Sequence, residues 1–166
     1  MQRDVVAILC FALFALLAVL AVNSVKKRAQ NQLTAVSLAE VDSLTGSELA
    51  EAAGFYVSTV YADKPLERIA ARGLLHRGNA LLTVLTDGIV IDRTGELSLA
   101  IASSAICSVS RTSATIDKGV ETNGLLAICW KAGEECLVTN LRIRAEVDTE
   151  ELLATLNAIS KKEANA

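Results

Sequence analysis

"NALLTVLTDGIVIDRTGELSLAI", residues 79 to 101, decides the fold class. Two apolar runs, Leu82-Thr83-Val84-Leu85 and Ile89-Val90-Ile91, flank Asp87-Gly88. Asp-Gly in that setting predicts a type I′ hairpin turn, because both central residues of such a turn need positive φ. A second turn, "DRTGE", feeds "LSLAI". There Leu97, Leu99 and Ile101 alternate with Ser98 and Ala100, the period of two that marks a half-buried strand.

The same texture continues toward the C-terminus. "SSAICSVSRTSATI" reads as a strand with Ala105, Cys107 and Val109 on one face and Ser108, Ser110 and Thr112 on the other. "GLLAICW" and "ECLVTNLRI" form a further hairpin around "KAGE". Toward the N-terminus, "FYVSTVY" is β-branched and aromatic, and Pro65 marks a turn after it. "LERIAARGLLH" holds no clean helical stripe and is broken by Gly73, so it is expected to be strand or irregular. Seven or eight short strands in this span predict an antiparallel sheet or barrel.

The chain closes with "DTEELLATLNAISKK". Asp148 is a good N-cap, and Glu151 lies at the capping-box spacing. Leu152, Leu156 and Ile159 share one helical face, and Lys161 and Lys162 suit the negative end of the helix dipole. A helix with one apolar stripe must bury it, and the open end of a β-barrel is the natural place.

At the other terminus, Val5 to Val22 is an uncharged run of 18 residues. As a helix it would be about 27 Å long, close to the hydrocarbon thickness of a bilayer. It exceeds a signal-peptide core, and Val22-Asn23-Ser24 is a poor cleavage site. Lys26, Lys27 and Arg28 follow it as a topology signal, since basic residues beside a span stay inside. The expected anchor therefore leaves the downstream domain in the cytoplasm.

Four of the 16 basic residues and one of the 19 acidic ones lie within residues 1–33, leaving 12 against 18 beyond them, a net charge of −6. An acidic domain is a poor partner for nucleic acid, which needs basic surface. Cys107, Cys129 and Cys136 show no C-x-x-C spacing, and His76 is the single histidine, so no metal site is expected. Buried free thiols in a reducing compartment account for the cysteines. His76 reads as an exposed loop residue and Trp130 as core packing. No G-x-S-x-G elbow, Walker A or G-x-G-x-x-G loop occurs, so no catalytic residue and no cofactor is expected. Arg142 and Arg144 share one face of the last strand, where they could grip a carboxylate or phosphate or pair with local acids.

Antiparallel hairpins closed by one C-terminal helix resemble the pleckstrin-homology (PH) superfold. "GFYVSTV", "RIAARGLLHRGNALLTVLTDGIVIDRTGELSLAI" and "VETNGLLAICWKAGEECLVTNLRI" are similar to an actinobacterial family of single-span membrane proteins with a bacterial PH-like domain. The shared patterns are G-L-x-x-R-G-x-A-x-L-x-V at Gly73 to Val84, G-[IL]-x-I-x-R-x-G at Gly88 to Gly95 and G-L-L-x-x-x-W at Gly124 to Trp130. These are turn glycines and core residues, so the resemblance implies fold more than activity. Phosphoinositide-binding PH domains carry a basic K-x(n)-R-x-R pattern. Here Lys64, Arg68 and Arg72 are interrupted by Asp63 and Glu67, so phosphoinositide binding is not expected.

The organisation expected is a tail at 1–4, a transmembrane helix at 5–22, a stalk at 23–53, a PH-like domain at 54–162 and a tail at 163–166. The fold class expected is α+β, mainly β, with about seven strands in an antiparallel barrel or sandwich capped by the C-terminal helix. The expected function is non-enzymatic: a single-pass, membrane-anchored scaffold that recruits a protein partner at the inner face. The Ser/Thr-rich strand from Ser108 to Thr115 is the candidate partner-binding edge, with Ser108, Ser110 and Thr112 as its contact residues. The alternative is a small-molecule-binding or enzymatic accessory domain with a site at the barrel mouth.

Overall fold

A computed structural model describes residues 2–35, 41–113, 124–144 and 148–164 of the chain. The element order is α1 (Gln2–Ala35), β1 (Glu48–Tyr61), β2 (Gly78–Leu85), β3 (Gly88–Arg93), β4 (Leu99–Ala102), β5 (Ile106–Thr112), β6 (Leu125–Ala132), β7 (Glu135–Ile143) and α2 (Thr149–Ala164). The seven strands form one antiparallel sheet in the order β4-β3-β2-β1-β7-β6-β5. The fold is thus the α+β, mainly β arrangement expected, closed by a helix.

The first strand makes this topology possible. β1 is 14 residues long and serves two partners. Its first part pairs with β2 from Glu48 to Tyr56, and its second with β7 from Gly54 to Tyr61. A register shift between Tyr56 and Ser58 bends it where the two pairings overlap. Gly54 sits in that overlap, where a Cβ would come within 2.7 Å of the Arg142 carbonyl oxygen. The strand opens at Glu48, so residues 48–53, read from sequence as stalk, belong to the sheet. Their alanines and glutamates have weak strand propensity, and pairing with β2 overrides it.

Asp87 and Gly88 play different parts from those expected of a type I′ turn. Leu85 pairs with Gly88, so the turn residues are Thr86 and Asp87, and neither has positive φ. Gly88 is the first residue of β3. A Cβ there would meet the Ile101 carbonyl oxygen at 2.5 Å and Leu44 Cδ2 at 2.9 Å, so close approach of β4 and the incoming chain demands glycine. Asp87 Oδ2 accepts hydrogen bonds from the backbone N–H groups of Thr45 (2.8 Å) and Gly46 (2.9 Å), pinning the segment that enters β1.

Alternation also fails in β4. Leu99, Ala100 and Ile101 are all buried, while Leu97 lies outside the strand and is exposed. The segment between β1 and β2 is irregular, as read, apart from one 3-10 turn at Ala71–Gly73. Arg72 (φ 48°) and Gly73 (φ 71°) there are both left-handed.

α2 behaves as its sequence requires. Asp148 Oδ1 accepts from the backbone N–H groups of Glu150 (2.9 Å) and Glu151 (3.2 Å). Leu152, Leu156 and Ile159 are buried in the main core, against β5, β1 and the short turn between β4 and β5. The side chains of Lys161 and Lys162 lie outside the described ones.

α1 contains one segment, Val6–Lys27, that is long and apolar enough to cross a membrane. Its large apolar side chains from Val6 to Val25 are exposed. The helix then continues past Lys26 and Lys27, both exposed, and past Arg28, whose side chain lies outside the described ones. Near its end Gln32 is buried, and its Oε1 accepts from the Ala70 N–H at 2.6 Å. α1 therefore ends docked on the turn at Ala71–Gly73.

Candidate interaction surface

The half of the sheet formed by β5, β6, β7 and the end of β1 has two faces. The inner face carries a chain of buried polar groups. Trp130 Nε1 donates to Thr139 Oγ1 (3.0 Å), which lies 2.9 Å from Thr59 Oγ1. The Tyr56 hydroxyl reaches Thr59 Oγ1 (2.8 Å) and the Leu74 carbonyl (2.9 Å). Burial pushes the Tyr56 phenol up to about 12, against smaller opposing effects of the Thr59 hydrogen bond and the Arg93 charge.

Arg93 stands over the Tyr56 ring, with 5.1 Å from its guanidinium carbon to the ring centroid. Though buried, it is held by carbonyls. Nη1 donates to Gly73 (2.9 Å), and Nη2 donates to Arg72 (3.1 Å) and to Leu97. Arg93 therefore clamps the left-handed turn onto β3. In "DRTG" it reads as a turn residue, although it is also the arginine of the G-[IL]-x-I-x-R-x-G pattern. A second signal is its phase: it stands two residues after Ile91, on the strand face of Ile89 and Ile91.

The outer face is built from small side chains in cross-strand rows. Ser110 pairs with Ala127, Ala127 with Asn140, and Asn140 with Ser58. Ser108 pairs with Cys129, Cys129 with Val138, and Val138 with Val60. Because these residues are small, the face is recessed, and the segment Tyr61–Leu66 forms a wall beside it. The result is an open groove of about 350 Å³, lined by Ser110 and Thr112 at one side and by Pro65 and Leu66 at the other. Leu66 is 79% exposed. On the floor, Asn140 Nδ2 donates to Ser58 Oγ at 3.4 Å, and both residues are buried.

Of the residues singled out from sequence, Ser110 and Thr112 line this groove, and Ser108 stands further along the same strand. β5 is a terminal strand of the sheet and pairs only with β6 among the described residues. Thr115, at the far end of the proposed edge, lies outside the described residues. Arg142 pairs with Phe55 and is exposed two residues along β7 from Asn140, on the groove side. Arg144 is exposed just beyond β7, with its N–H donating to the Ala53 carbonyl at 3.0 Å. The expected mouth of the barrel is filled by Leu152, Leu156 and Ile159 of α2.

Two further expectations need correction. The cysteines are not buried: Cys107 and Cys136 are exposed and Cys129 is partly so. Cys107 also leaves the face of Val109, because the register shifts between Ile106 and Ser108. His76 is exposed, as read, but its Nδ1 lies 2.7 Å from Glu96 Oε1. No group of three or more His, Cys, Asp or Glu able to hold a metal ion occurs among the described residues.

A family model described as "Bacterial PH domain-like" matches residues 35–157, most of the chain and every strand of the sheet. No curated protein matches the chain.

Proposed function

The chain belongs to the bacterial PH domain-like family, and from that premise we propose that it is a membrane-anchored scaffold recruiting a protein partner at the inner membrane face. The family supports a protein- or lipid-interaction module in general terms. The finer reading rests on the chain's own features.

The Val6–Lys27 segment supplies the anchor. Lys26, Lys27 and Arg28 at its end favour retention on the cytoplasmic side, which puts the domain inside the cell. The domain's acidic balance and the interrupted Lys64, Arg68 and Arg72 pattern disfavour an anionic lipid as its main ligand. The observation that carries the reading is the terminal strand β5 running along the groove lined by Ser110 and Thr112. An extended segment of a partner can pair with such a strand and lay alternate side chains into the recess. Asn140 and Arg142 stand beside that path, the first for a backbone amide and the second for a carboxylate.

Site-specific photocrosslinking in intact membranes tests this. A photoreactive residue at position 110 should give a discrete protein adduct, and the same residue at exposed Glu51, on the other half of the sheet, should not. Equal adducts at both positions, or adducts to lipid alone, would overturn the assignment of the β5 edge. Orientation has its own test: protease added outside intact cells should leave residues 34–166 uncut.

A further inference from the structure

Between Ile106 and Ser108 the facing residue on β6 moves by one place only, from Trp130 to Cys129. Cys107 is thus the extra residue of a β-bulge, and two residues of β5 oppose one of β6. In a regular strand Cys107 and Ser108 would point to opposite faces. Here both are exposed, with Ile106 and Val109 buried on either side. The bulge brings the Cys107 thiol round to the face of Cys129.

Cys136 lies on the same face. It pairs with Lys131, two residues beyond Cys129, and so is the diagonal neighbour of Cys129. Directly opposed residues in an antiparallel pair have Cα atoms about 4.5–5.5 Å apart, and diagonal neighbours about 7–8 Å. Disulfides need Cα separations of roughly 4.4–6.8 Å. Ser108 is the residue opposite Cys129, but the bulge sets Cys107 beside it and the Cys107 side chain hydrogen-bonds with Cys129, so of the two neighbouring thiols Cys107 is the one placed to bond with it. Burial raises the Cys129 thiol above its ordinary range, the neighbouring Cys107 and Cys136 add to this, and a hydrogen bond with Ser108 opposes it.

We propose that Cys107 and Cys129 form a modification site, a thiol pair that closes into a reversible disulfide between β5 and β6 when a peroxide reaches it. Cys107, the more exposed, reacts first. Its thiolate attacks the O–O bond of hydrogen peroxide. An S–O bond forms, the O–O bond breaks, hydroxide leaves and takes up the proton the thiol released to give water, and the sulfur is oxidised to a sulfenic acid. The Cys129 thiol then attacks that sulfur, the S–S bond forms, the S–O bond breaks, and a second water leaves. One peroxide and two thiols give one disulfide and two waters. A reduced dithiol reverses the step by two exchanges and is itself oxidised to a disulfide. This proposal stands apart from the partner-binding reading.

Peptide mapping of the full-length chain in detergent tests it with hydrogen peroxide as the probe. Cleavage after Arg93, Arg111, Lys118, Lys131 and Arg142 puts the three thiols in separate peptides. After peroxide treatment and alkylation, the Cys107 and Cys129 peptides should appear linked, and Cys136 should be alkylated. Dithiothreitol should release the link. Cys107→Ser should abolish it, and Cys136→Ser should leave it intact. A dominant Cys129–Cys136 link, links only between differently tagged chains, or oxidation of single thiols without any link would each overturn the proposal.

Discussion

The two faces of the β5-β6-β7-β1 half carry similar polar side chains in opposite circumstances. On the inner face, Thr59 and Thr139 are wholly buried, and each hydroxyl has a partner within 3.0 Å. On the outer face, Ser110 and Thr112 open onto a groove, and Asn140 and Ser58 meet loosely at 3.4 Å. A threonine in a strand therefore does not mark the solvent side. What settles its place is whether a donor or acceptor waits across the strand, since a buried polar group without one costs about 1–3 kcal/mol. The inner face is a closed hydrogen-bond chain from Trp130 to Leu74, and the outer face opens onto a groove.

The largest expected effect breaks the inner face from below. Leu156→Asp should unfold the domain by burying an unpaired charge, and Leu156→Ala should cost about 2–5 kcal/mol in a denaturant melt. Wild-type melting of both would mean that α2 does not seal the core.

Alkaline titration probes the same face more finely. The folded-state pKa of Tyr56 is raised from 10.0 to about 12, so folding favours its neutral form. The stability linked to this group is fully present below pH 10 and is lost as pH rises toward about 12. Tyr56→Phe should remove that step from the pH–stability curve. At neutral pH it should also cost about 1–3 kcal/mol, because the Leu74 carbonyl and Thr59 lose their partner. An unchanged alkaline step in the variant would assign it to another group.

The outer face should give the smallest effect on folding. Ser110→Arg should change stability by about 0.5 kcal/mol or less, as expected for an exposed strand position, yet abolish capture of a partner at the β5 edge. A large drop in melting temperature would place Ser110 in the folding core and remove the contrast between the faces.

Much of the fold was legible because periodicity and capping are local. Asp148 and the Leu152, Leu156, Ile159 stripe specify α2 within a few residues, and the hairpin runs on either side of residues 86–88 survive intact. What escaped depends on distant chain segments. Gly88 is glycine because Ile101 and Leu44 approach it, which no local pattern records. Cys107 changes face through a bulge, and one extra residue in β5 is invisible without its partner β6. Leu97 fits the alternation of its neighbours but lies before the strand begins. Ser110 and Thr112 were recognisable as an edge from their polarity, whereas the groove beside them needed Pro65 and Leu66, which are far away in sequence.

The docking of Gln32 on Ala70 ties the heading of the domain to the rotation of α1. The helix continues unbroken from the apolar segment to this contact. Each residue of an α-helix adds about 1.5 Å of height and about 100° of rotation. Deleting one residue between Lys27 and Gln32 would swing Gln32 about a quarter-turn away from Ala70 and undock the domain. Inserting seven would raise the domain by about 10 Å while returning Gln32 to within about 20° of its bearing. Height above the apolar segment and compass direction thus change together residue by residue, and height changes with direction kept only in steps of about seven, as on an indexed shaft.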